Sequence, residues 1–187
     1  MKQLYCIFFI IVITVVTTSC CSIAGTESKK EINNEEMKIL NQFPGYHLLG
    51  LNDLDAQTRD FFSKKFQNEI PGIVKSDFNG DGYQDYAILL RNNNSKKAKL
   101  VISFCFATSP CKNFYELDVK NFYNIVYIRS VKQGALISQT TAIDTNNYPS
   151  PVMLKYDGVK LTYLGKAEIV IYWNEKLKKI ETIQTAD

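Results

Sequence analysis

The sequence predicts an α+β domain in which an antiparallel β-sheet is preceded by one or two N-terminal helices. Two observations carry this. Helical signals are confined to the chain before Pro71-Gly72. After that point the residues read as short apolar or β-branched runs separated by turn residues, and strands that meet at short turns pair antiparallel. The chain has 187 residues, 45% hydrophobic and 22% charged, which suits one domain with extensions. The formal charge of +3 is too small to argue for a nucleic-acid partner.

Residues 1–19 read as a secretory signal peptide. Lys2 supplies a basic start, Cys6–Val16 is apolar apart from Thr14, and Thr17, Thr18 and Ser19 are small. The run is too short for a membrane span of about 20 residues. Small residues ending at cysteine resemble a bacterial lipoprotein processing site, which implies lipidation of Cys20, with Cys21 the alternative. Thr17 departs from the Leu usual there. Residues 20–36 are polar and read as a flexible tether, which leaves 37–187 as a single α+β domain.

Within that domain, Met37–Phe43 reads as a short helix stopped by Pro44-Gly45. Asp53–Ile70 is a better one, capped by Asn52 or Asp53. Its Leu54, Phe61, Phe62, Phe66 and Ile70 fall near one face, and Pro71-Gly72 ends it. Strands are expected over Gly72–Ser76, Tyr83–Arg91, Ala98–Phe106, Phe114–Val119, Ile125–Arg129 and Ala135–Thr141. Val152–Tyr156 and Val159–Tyr163 follow, joined by the hairpin signal Asp157-Gly158. Glu168–Trp173 and Lys179–Gln184 form the last hairpin. The polar break Asp144–Pro151 is a candidate recognition loop or a plain connector.

The chemistry is concentrated in Asp77–Asp85. Oxygen-bearing side chains recur at Asp77, Asn79, Asp81 and Asp85, with Gly80 and Gly82 between them, and Tyr83 can offer its backbone carbonyl. A hard cation such as Ca²⁺ takes about six to eight oxygens at about 2.3–2.6 Å. Glycine permits the positive φ that such a curl needs. The loop begins like an EF-hand, but its flanks are strand-like and Ile88 stands where an EF-hand needs a bidentate Glu. It resembles the calcium loops of FG-GAP and VCBS-type repeats, which read Asp-x-Asn-Gly-Asp-Gly-x-x-Asp between two strands. The resemblance covers Asp77 to about Ala87 and implies a calcium-loop hairpin in the sheet. Ser76 departs from the Gly usual in those repeats, and a single copy does not imply a propeller. A polar turn that binds nothing is the alternative.

Cys105 and Cys111 flank Ser109-Pro110, a turn signal, and in an exported protein they are expected to form a disulfide. Catalytic signatures are absent. His47 is the one histidine and has no motif around it, there is no Gly-x-Ser-x-Gly elbow, and no spacing pairs the carboxylates. The reading is an exported, lipid-anchored calcium-binding protein of the bacterial cell envelope, facing the periplasm or the exterior. It acts as a non-catalytic binding or structural module with an envelope protein partner. The alternatives are an envelope hydrolase with a calcium-shaped site and a periplasmic inhibitor or immunity protein.

Overall fold

The computed structural model describes residues 32–119, 121–139 and 150–186. The expected signal peptide, Cys20, Cys21, most of the 20–36 tether, residues 140–141 of one expected strand and 144–149 of the polar break lie outside the described residues.

Helix α1 spans Asn34–Leu40 and starts ahead of the expected Met37. A capping box sets the start: Asn33 Oδ1 accepts the Glu36 N–H at 2.8 Å, and Glu36 Oε2 accepts the Asn33 N–H at 2.9 Å. The tether therefore gives way to folded chain before residue 36. A short strand that the sequence reading missed, β1 (Tyr46–Leu48), follows, then a 3₁₀ turn (Leu51–Asp53) and helix α2 (Ala56–Lys65). The α2 cap is Asp55, which accepts the Thr58 N–H at 2.8 Å. Asp53 is already engaged: its carboxylate accepts the Gly50 N–H at 2.8 Å and lies 2.9 Å from His47 Nε2. His47 Nδ1 lies 2.6 Å from Asn93 Oδ1, so the histidine is an edge-strand residue fixed to its neighbours.

The remaining strands are β2 (Ile73–Ser76), β3 (Asp85–Asn92), β4 (Ala98–Phe106), β5 (Ser109–Val119), β6 (Val126–Val131), β7 (Leu136–Ile137), β8 (Val152–Met153), β9 (Gly158–Tyr163), β10 (Ala167–Asn174) and β11 (Lys179–Ala186). All pairings described are antiparallel. One sheet runs β1-β3-β4-β5, with β2 also on β3; a second runs β11-β10-β9-β6; β7 and β8 form a small ladder. The strands β1 and β2 share one side of β3, β1 against Leu90–Asn92 and β2 against Asp85–Ile88. Gly72 lets the chain pass at that junction, because a Cβ there would lie 2.3 Å from the Leu49 carbonyl oxygen. The fold is thus mostly antiparallel sheet with two short helices.

Two turns differ from expectation. Asp157-Gly158 does not close a hairpin: β8 pairs β7, while β9 pairs β6 and β10. Gly158 lacks the positive φ that a two-residue hairpin demands and instead opposes Val131 in the ladder. The β4–β5 turn falls at Ala107-Thr108, because Ser109 is already paired with Phe106.

The run Tyr86-Ala87-Ile88-Leu89-Leu90 is buried on both faces, as an unbroken apolar strand should be. Ala87 and Leu89 face the main core with Leu100, Ile102, Ile128, Leu161, Ile171 and Phe62 of α2. Tyr86, Ile88 and Leu90 face a second cluster with Val101 and Ile39 of α1. Leu100 is fully buried in the main core, whereas Leu177 is 52% exposed. Leu100→Ala is expected to destabilise by about 2–5 kcal/mol through the cavity it leaves. Leu177→Ala should stay within about 0.5 kcal/mol, and urea denaturation of both variants checks the contrast.

Candidate metal centre

The stretch Asp77–Gln84 connects β2 to β3, whose pairing begins at Ser76 opposite Asp85. The backbone curls because Gly80 and Gly82 hold φ of 80° and 85°. Five amides turn toward side-chain oxygens of the same loop. Asp77 Oδ1 accepts the Gly80 N–H at 2.6 Å and Oδ2 the Gly82 N–H at 2.8 Å. Asn79 Oδ1 accepts the Asp81 N–H, and Asp81 Oδ1 the Tyr83 N–H, both at 2.9 Å. Asp85 Oδ2 accepts the Phe78 N–H at 2.9 Å. The Asn79 amide also donates to Asp81 Oδ2 at 3.0 Å.

Asp85 is the anchor of this arrangement. It is fully buried, and its other oxygen, Oδ1, accepts the Cys105 N–H of β4 at 2.9 Å. The β3–β4 ladder register ends at Tyr86 opposite Ser103, so the Asp85 side chain takes an amide just beyond the end of that register. Burial pushes its carboxyl up to about 6; the two N–H donors oppose the rise, and the charges of Asp81 and Asp77 add to it.

The group implied by the sequence resemblance is Ca²⁺, and the donor set suits it in kind. Asp77, Asn79, Asp81 and Asp85 offer hard oxygens, the Tyr83 carbonyl adds another, and a carboxylate oxygen that accepts one N–H keeps a second lone pair. None of the ion pairs formed among the described residues involves Asp77, Asp81 or Asp85. Among the described residues, no three His, Cys, Asp or Glu side chains close round a common point. The loop oxygens are held instead by their own amides, with Asp81 exposed and Asp85 buried.

Contacts that the sequence reading did not foresee brace the loop from outside. Ser76, the departure from the repeat pattern, donates its hydroxyl to Asp157. Asp157 also accepts from Lys132 Nζ and the Gln133 N–H, each at 2.8 Å. Burial would raise the Asp157 carboxyl, but these three hydrogen bonds outweigh it and hold the group below the usual range. The Tyr156 ring lies against Gly80, where an added Cβ would come within 2.0 Å of it. Glycine is therefore required at 80 both for φ and for this approach. Two turn-like dipeptides far apart in sequence gave no signal of either contact. Cys105 and Cys111 lie within disulfide-bonding distance. No helix among the described residues is long and apolar enough to cross a membrane.

The raised Asp85 carboxyl has a thermodynamic sign. Between the ordinary value of 3.8 and about 6 the folded protein binds more protons than the unfolded chain, so stability falls as pH rises through that window. In chelator the Asp85 contribution should cost roughly 3 kcal/mol by pH 7. Asp85→Asn removes the titration, so the stability of wild type relative to this variant should decline from pH 4 to pH 7. Denaturation in chelator at several pH values checks this; parallel curves count against it.

No family model, curated protein or solved structure matches this chain.

Proposed function

We propose that this chain is an exported, lipid-anchored calcium-binding protein of the bacterial cell envelope that acts as a non-catalytic binding or structural module. The observation that carries the calcium reading is the loop itself: three carboxylates outside every ion pair formed among the described residues, curled by two positive-φ glycines and anchored by buried Asp85. Asp77, Asn79, Asp81 and Asp85 with the Tyr83 carbonyl hold the ion. At least five protein oxygens leave little of a six-to-eight-oxygen sphere for substrate, which favours a staple over a catalytic centre. The loop joins β2 to β3, so ordering it fixes the register of those strands. Export and anchoring rest on residues 1–20, and the partner is an envelope protein reached from the membrane surface.

Extracellular calcium modules bind at about 10⁻⁴–10⁻³ M, and at about ten times the dissociation constant binding adds roughly 1.4 kcal/mol to stability. Millimolar calcium should raise the melting temperature by a few degrees, and Asp77→Ala, Asp81→Ala or Asp85→Ala should abolish the increment. Asp118→Ala is the suitable control, since Asp118 is exposed on the far strand β5; Asp157 is not, because it touches Ser76 beside the loop. A melting curve unmoved by calcium sinks the metal reading.

Lipidation at Cys20 is tested separately. Intact mass of the membrane-extracted protein should show loss of residues 1–19 and a diacylglycerol-sized addition. A mature protein recovered without lipid overturns the anchor and leaves the calcium reading standing.

A further inference from the structure

We propose that the Cys105–Cys111 disulfide regulates the calcium loop, so that reducing it weakens calcium binding and calcium in turn protects it from reduction. This rests on the calcium reading of Asp77–Asp85 and adds to it a redox input. The two features are far apart in sequence but share an atom contact: the Cys105 N–H donates to Asp85 Oδ1 at 2.9 Å inside the protein. Asp85 Oδ2 holds the Phe78 N–H at the start of the loop. One buried carboxylate therefore ties the disulfide backbone to the loop backbone.

The position of Cys105 makes that tie sensitive to the cross-link. The β4–β5 register pairs Phe104 with Lys112 and Phe106 with Ser109, and it shifts between Phe104 and Phe106. Cys105 is thus the single β4 residue opposite Pro110 and Cys111 at a β5 bulge, where the bond to Cys111 helps to fix its backbone. Once the bond is open, the bulge relaxes and the Cys105 amide is held less firmly on Asp85. A carboxylate with one fewer fixed donor is less preorganised for an ion, so affinity falls. By linkage, calcium must disfavour reduction by the same factor.

A reductant has a route. A cleft of about 400 Å³ is lined by Cys105, Cys111, Glu35 of α1 and Gln84 of the loop. A small dithiol supplies the two electrons: its thiolate attacks one cysteine sulfur, the other leaves and takes a proton, and the second thiol of the reagent displaces the first cysteine. The products are two cysteine thiols and the oxidised, cyclised reagent.

The test is calcium titration calorimetry on the oxidised protein, on dithiol-reduced protein and on Cys111→Ser, with circular dichroism confirming the sheet signal at low temperature. The expected result is a calcium dissociation constant about five-fold or more weaker without the bond, within the range usual for coupled sites. In the reverse direction, calcium should raise the dithiol concentration that half-reduces the oxidised wild type by the same factor, and Asp81→Ala should lose this protection. Equal affinity in the oxidised and reduced proteins overturns the coupling while leaving the calcium reading intact. An oxidised protein that does not bind calcium overturns both. Loss of the sheet signal on reduction also overturns the proposal, because the bond would then hold the fold instead of the loop.

Discussion

The buried Asp85 carboxylate ties the loop to the strands on which the rest of the sheet is built. A fully desolvated acid is costly unless its oxygens are occupied, and each of these accepts a backbone N–H that the antiparallel ladder leaves over. The amide of Phe78 belongs to the loop that enters β3, and that of Cys105 to the end of β4. The loop, the first residue of β3 and the end of β4 are consequently placed as one unit. Any ion in the loop would act on this unit and not on an isolated turn. Within the unit, burial raises the Asp85 proton affinity and the charges of Asp81 and Asp77 add to the rise.

From that unit the organisation spreads through β3. The strand is lined on one face by the main core and on the other by the cluster under α1. Its outer edge is shared by β1 and β2 with Gly72 at the junction. Ser76 and Tyr156 then join the loop to the segment around Asp157. Lys132 and the Gln133 amide complete that connection. The loop is thus braced by the chain that follows β6 and by the chain that leads into β9.

Much of this was legible because the signals were local. The β-branched and aromatic run Ala98–Phe106 coincides with β4, and the apolar runs bounded by turn residues near the end of the chain place β9, β10 and β11 within a residue or two. The spacing of aspartates with Gly80 and Gly82 announced a curled loop. Most of what escaped detection was non-local. The exception is Asn33 and Glu36, whose three-residue spacing is a local capping-box signal that lay within a stretch read as polar tether. Asp157-Gly158 looks like a hairpin, but its aspartate serves Ser76, Lys132 and Gln133, and its glycine lies flat in a strand. Asp85 could be named as an oxygen donor, yet nothing in its neighbours reveals that its second oxygen reaches across to Cys105.

The two register shifts in β5 have a bearing on how copies of this chain behave when crowded. Strand β5 is the longest described and ends its sheet, pairing only with β4, so its outer row of amides and carbonyls would otherwise be an open template for another strand. The shifts near Ser103 and Phe106 put kinks in that row, and Lys112 places a charge on it. A straight strand from a neighbouring molecule cannot zip along a bent, charged edge. The irregularities that seat Cys105 against Asp85 therefore also blunt the sheet against edge-to-edge aggregation.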